Sequence, residues 1–137
     1  MPRGFRWVPI ALCLLASGPA AAGAPDWASL RDVETVLVLT TDEDGAPRET
    51  TVWLVVVDGA GYVRTGSTTW GDNAVRSSEL ELRAAGSTHP MRVEFVEDDA
   101  LRQRVSDAFG EKYGLEDWAL SWIRGSRPKI MHLQPRE

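Results

Sequence analysis

Cysteine is almost missing: the 137 residues contain one, Cys13, inside an apolar run near the N-terminus. A disulfide framework and a cysteine-built metal site are thereby excluded. Histidine is nearly as scarce, with His89 and His132 alone. Neither has a partner at metal-ligand spacing, so no metal site is expected. Ser77 and Ser78 lie outside any nucleophile-elbow pattern, and no partner that would orient His132 is visible, which argues against a hydrolytic triad. Excess positive charge is lacking too. The formal net charge is −5, so nonspecific nucleic-acid binding is not expected. After residue 26 there is no internal repeat and no low-complexity segment.

What is present begins with the N-terminus. MPRGFRW is basic, VPIALCLLA is apolar, and SGPAAAGAP supplies small residues. That is the pattern of a secretory signal, with cleavage expected after Ala22. The apolar run is too short to span a bilayer. Arg3 and Arg6 are not adjacent, so a twin-arginine signal is not supported, and Leu12 is too large for a lipoprotein box. The expectation is a signal peptide over 1–22 and one domain over 23–137, secreted or periplasmic, with no membrane contact after cleavage. A mis-called start codon would instead leave the protein cytoplasmic. Cleavage removes Cys13, Arg3 and Arg6 and leaves a still more acidic chain with no thiol nucleophile.

Six tryptophans are many for this length. They suggest a compact core or a stacking surface for a flat ligand. Periodicity predicts a short helix over 25–33, then strands over 34–41, 48–57 and 61–65 joined by turns at 42–47 and 58–61. The second of these strands is nearly all apolar at its end and should be central, covered on both faces. A short helix over 70–78 comes next. Alternation marks strands at 79–84 and 89–97, with Ala85-Gly86-Ser87 as their hairpin turn. The helix over 98–114 starts at Asp98 or Asp99 and gathers Leu101, Val105, Ala108, Phe109 and Tyr113 on one face. Gly114 ends it. A second short helix over 115–123 carries Trp118 and Trp122, read as core or dimer-interface residues. A last strand spans 128–135. The fold class is mainly β with α (α+β): a six-stranded antiparallel barrel with a helix covering it between the last two strands.

One stretch, AGYVRTGSTTWG at 60–71, asks for a function. Arg64 leaves a strand and meets Gly, Ser and Thr, closed by a tryptophan. A guanidinium can grip a phosphate bidentately, and hydroxyls or loop amides can add donors. The same residues also make an ordinary polar turn. Arg64 is then a strand-end cation in solvent or paired with an acid, and Trp70 packs beneath the loop.

The pattern as a whole resembles the FMN-binding split barrels related to pyridoxamine 5'-phosphate oxidase, and more closely an uncharacterised bacterial branch of them. The resemblance rests on LTTDEDGAPRETTVW, GYVRTG, the Trp-containing segment, VEFVED, EKYG and IMHLQP in that order, over residues 34–135. It implies a split β-barrel and a homodimer with flavin at its interface. It implies that Arg64, Thr65, Ser67 and Thr68 hold the cofactor phosphate, with Gly66 permitting close approach. It implies also that Thr50 to Trp53, Thr51 and Trp53 among them, flank the ring, with Trp70 beside it. Relatives usually carry more bases around that tryptophan. Here the segment is TTWGDN, with acidic Asp72 and with Arg76 as the remaining base nearby. The functional expectation is a small-molecule cofactor, FMN or less readily a deazaflavin, on an oxidoreductase-like protein of unknown substrate. The alternatives are an exported, non-catalytic binder of a flat anion such as flavin or haem on the same scaffold, and a structural domain without ligand.

Overall fold

The computed structural model describes residues 24–114 and 128–136. A single 3-10 turn, Trp27–Leu30, comes first. It is followed by β1 (Thr35–Thr41), β2 (Pro47–Trp53), β3 (Val55–Val57), β4 (Ala60–Thr65), helix α1 (Thr69–Ser77), β5 (Glu79–Ala84), β6 (Ser87–Phe95), helix α2 (Asp99–Tyr113) and β7 (Lys129–Pro135). The expected signal peptide and the expected helix with Trp118 and Trp122 lie outside the described residues. Among those described, no helix is long and apolar enough to cross a membrane.

The strands form one antiparallel sheet in the order β2-β1-β5-β6-β7-β4-β3. Its two end strands are consecutive in the chain, with Leu54 alone between them. The edges of the sheet are therefore two halves of one segment, and the sheet curls round to bring them together as a split barrel. The six expected strands are all present, with the second broken in two. The break also corrects the expectation that 48–57 is central and covered. β2 is a sheet edge, and of residues 47–51 all are exposed except half-buried Thr50.

Alternation decides what faces inward. Val36 and Val38 of β1, Leu80 and Leu82 of β5, Met91 and Val93 of β6, and Met131 and Leu133 of β7 fill one interior cluster. Val38, Leu82, Met91 and Met131 have no exposed surface, and each such side chain contributes about 1.5–3 kcal/mol of burial. The opposite side of β3, β4 and β7 carries Val55, Tyr62 and Ile130, which pack against Val105 and Phe109 of α2. The predicted apolar face of α2 is the face that docks. Asp98 caps it, its carboxylate accepting from the Leu101 amide at 2.8 Å. The β5–β6 hairpin is tighter than expected. Ala84 pairs with Ser87, so the turn is the two residues Ala85 and Gly86, both at positive φ (52° and 80°), as a right-twisted hairpin favours.

Candidate functional site

Curling of the sheet brings β2 against β4, and a cleft of about 520 Å3 opens where they meet. Arg48, Thr50, Thr51, Val52 and Trp53 of β2 line it. Arg64 and Thr65 come from the end of β4, and Thr68, Thr69 and Trp70 from the start of α1. Among the described residues no carboxylate lines it, and the charged side chains that do are two guanidinium groups. Its volume lies in the range of small-molecule sites.

The structure thus gathers Arg64, Thr65, Thr68, Trp70, Thr51 and Trp53 from the residues expected at a site. Gly66 and Ser67 belong to the same loop but are not among the lining residues. Several hydroxyls already have partners. Thr68 caps α1, its Oγ1 accepting from the Gly71 amide at 3.1 Å, and it also bonds the Thr65 hydroxyl. Thr65 is only 2% exposed. Trp70 packs in the interior cluster as well as bordering the cleft. The loop is therefore both a helix cap and a wall.

Arg76 goes elsewhere. Its Nη2 donates to the Thr41 carbonyl at 2.7 Å and to Asn73 Oδ1 at 2.8 Å. Glu43 stands 3.8 Å from its other amine. Arg76 lines a separate hollow with Asp42, Glu43, Asp44 and Asp72, so Asp72 faces that hollow and is not among the cleft residues.

The second cation of the cleft is Arg48, which sequence reasoning missed. It was read as the start of a strand. Its signal was present: it stands two residues before Thr50 and shares a face with it. Arg48 is gripped by Asp42, with Nε donating at 2.8 Å and Nη2 at 3.1 Å to the two carboxylate oxygens. Asn73 Nδ2 donates to the same carboxylate at 2.7 Å. These bonds, from Arg48 first and Asn73 next, hold the Asp42 carboxyl below the usual carboxylate range. Buried Asn73 also donates to Thr40 Oγ1 at 3.0 Å. Asp42 and Asn73 thereby join the cleft to the acidic hollow.

Helix α2 backs the cleft. The Trp53 and Tyr113 rings stack at 4.1 Å between centres and 3° between planes. The Arg64 guanidinium carbon lies 4.1 Å above the centre of the Phe109 ring, a cation–π arrangement. His132 lies elsewhere, stacked on Tyr62 at 5.0 Å and 3.2 Å from Glu94. Among the described residues no group of His, Cys, Asp and Glu is placed to hold a metal ion.

Among curated proteins none matches the chain. Solved structures do. The haem storage protein HutZ from Vibrio cholerae is similar with a TM-score of 0.63 and 18% identity, over 81% of this chain and 86% of that one. An F420-H2-dependent reductase gives 0.61 and 15% over 74% and 95%. A putative pyridoxamine 5'-phosphate oxidase from Listeria innocua gives 0.59 and 13% over 80% and 90%. At such identities the likeness is one of fold, and the fold is the split barrel. Residues 26–131 match the model of a family described as an uncharacterized protein conserved in bacteria (DUF2255), and the chain belongs to that family.

Proposed function

We propose that the cleft binds a flat anionic cofactor, FMN above others, with its phosphate between Arg48 and Arg64 and its ring against Trp53. One observation carries the reading: two arginines, three threonines at the strand and helix ends and a stacked tryptophan line one cleft. Charge-assisted bonds from two guanidinium groups suit a phosphate monoester, and an indole suits a ring. Among the described lining residues none is a histidine, cysteine, methionine or tyrosine, the residues that hold a haem iron. That favours flavin over haem on this scaffold. A deazaflavin fits the same arrangement less readily, since its longer anionic tail needs cationic surface beyond these two arginines.

Among the described lining residues none is an acid or base suited to proton transfer near neutral pH. Turnover would therefore rest on the ring itself, with the protein orienting it. The same observation supports a second reading, a non-catalytic carrier; its export after cleavage near Gly23 is proposed from the sequence alone. The cleft opens beside the exposed edge of β2, a place for a second subunit to cover, and the proposed assembly is a homodimer.

Titration of residues 23–137 with FMN tests the binding. Saturable quenching of flavin fluorescence is expected, and a colourless protein that leaves FMN fluorescence unchanged overturns the reading. NAD(P)H or a reduced deazaflavin added to the loaded protein then separates an oxidoreductase from a carrier. Light scattering at twice the monomer mass supports the dimer, and a clean monomer rejects it.

A further inference from the structure

The break between β2 and β3 poses a backbone problem. A residue that interrupts a strand leaves its amide and carbonyl without ladder partners, and buried peptide groups need them. Leu54 has no exposed surface. Its amide donates to the Tyr113 hydroxyl at 3.1 Å and, more distantly, to the Glu34 carbonyl at 3.4 Å. Its carbonyl accepts from the same hydroxyl at 2.7 Å and from Lys112 Nζ at 2.8 Å. The Tyr113 hydroxyl also lies 2.6 Å from the Glu34 carbonyl, so its one proton is shared between two carbonyls, one just before β1 and one at the break. Lys112 extends the tie to the Val33 carbonyl at 2.5 Å. Burial pushes the Tyr113 hydroxyl above the usual phenol range.

The same tyrosine meets the cleft. Its ring covers one face of Trp53 in a parallel stack. One helical turn back, Phe109 lies 6.0 Å from Tyr113 and carries Arg64 over its own ring. Trp53 and Arg64 stand on different strands, on either side of the seam where the sheet meets itself. A run of four groups, Trp53–Tyr113–Phe109–Arg64, connects them through residues four apart on α2, which project from one helix face.

We infer that Tyr113 is the positioning residue of this cleft, its ring fixing the plane of Trp53 and, through Phe109, the placement of Arg64. The inference rests on the FMN reading for its functional meaning, but its structural content does not. The ring positions Trp53, whereas the hydroxyl serves the peptide groups at Leu54. The two roles are separable. Tyr113→Phe keeps the stack and loses the hydroxyl bonds. Tyr113→Leu loses both.

The test uses 5-fluorotryptophan-labelled protein, with the Trp53 fluorine signal assigned from Trp53→Phe, and FMN titration of each variant. Tyr113→Phe is expected to keep the Trp53 signal and to hold FMN affinity within about threefold, while Tyr113→Leu moves the signal and weakens FMN about tenfold or more, as loss of an aromatic partner implies. Rescue of both readouts by phenylalanine but not leucine separates positioning from a general loss of stability. A Tyr113→Leu protein with unchanged Trp53 signal and unchanged affinity overturns the inference. So does a Tyr113→Phe protein that behaves like Tyr113→Leu. Should Tyr113→Leu fail to fold, Tyr113→Met decides in its place. Should the wild type ignore FMN, the binding reading fails while the fluorine signal still settles what Tyr113 positions.

Discussion

Two hollows flank the start of α1, and they treat their arginines in opposite ways. Among the described residues, the cleft between β2 and β4 is lined by Arg48 and Arg64 and no acid. The hollow beyond it is lined by four carboxylate residues, Asp42, Glu43, Asp44 and Asp72, around one arginine, Arg76. Thr69 borders both. The difference lies in where each guanidinium is spent. Arg76 satisfies a carbonyl and an amide oxygen and faces a carboxylate, so its charge is balanced on the spot. Arg64 lies over the aromatic face of Phe109, which helps to orient its guanidinium. Arg48 stands between the two cases, bound by Asp42 yet reaching the cleft. A base near a suspected phosphate loop is thus informative only once its acids are located.

Four substitutions probe that contrast. Arg64→Ala should have the largest effect on the cleft, weakening FMN by about 1.5–3 kcal/mol, as for a charged hydrogen bond; isothermal titration that shows unchanged affinity removes Arg64 from the site. Asn73→Ala strikes the connection between the hollows. It leaves Asp42 and Thr40 short of a donor and should lower stability by about 1–2 kcal/mol, read by urea unfolding, and a wild-type midpoint would mean that water replaces the amide. Arg48→Ala should cost FMN binding about 1 kcal/mol, less than Arg64→Ala because Asp42 already holds the guanidinium. An Arg48 loss exceeding the Arg64 loss would reverse the order of the two cations. Arg76→Ala should change FMN affinity by no more than about 0.5 kcal/mol, as a substitution outside the site does, and a tenfold loss would merge the two hollows into one site.

Acid sharpens the same comparison. Asp42 has a lowered pKa in the folded chain, through Arg48 and Asn73. The unfolded chain therefore takes up the proton first as pH falls. The stability that Asp42 contributes is complete above its unfolded value and is lost as pH drops through the lower, folded one. Asp42→Asn should lower stability most near neutral pH and least in acid, so that the gap to the wild type closes as pH falls and that limb disappears from a plot of stability against pH. An unchanged acid limb would assign it to other carboxylates.

The elements of this fold were largely legible. Strict alternation in ELELRA and in HPMRVEFVE leaves one choice of inward face, and Leu101, Val105, Ala108 and Phe109 fall on the docked side of α2 at helical spacing. The break at Leu54 was not legible. VWLVVV has no glycine, proline or polar residue to mark it, because the partners that hold it, Lys112 and Tyr113, lie almost sixty positions further on. The site divided in the same way. Arg64, Thr65 and Thr68 were visible as a local cluster. Arg48 entered only when β2 swung to the sheet edge and met β4, and Arg76 left when Asn73 and Glu43 drew it to the far side of its helix. Local chemistry shows in a sequence, whereas the direction in which a long side chain turns depends on neighbours that only folding supplies.

The interruption at Leu54 also divides the labour of adjustment. Arg48 is carried by the β1–β2 hairpin, whose register follows from the turn at 42–46, while Arg64 is carried by the β3–β4 hairpin, whose register follows from Asp58 and Gly59. A shift of one residue in the first turn would carry Arg48 to the opposite face, whereas a shift of two slides it along the same face without moving Arg64, which β7 holds opposite Ile130. The separation of the two positive charges is therefore a length that evolution or a designer can reset from one side in steps of two residues, as one jaw of a calliper is moved against a fixed one.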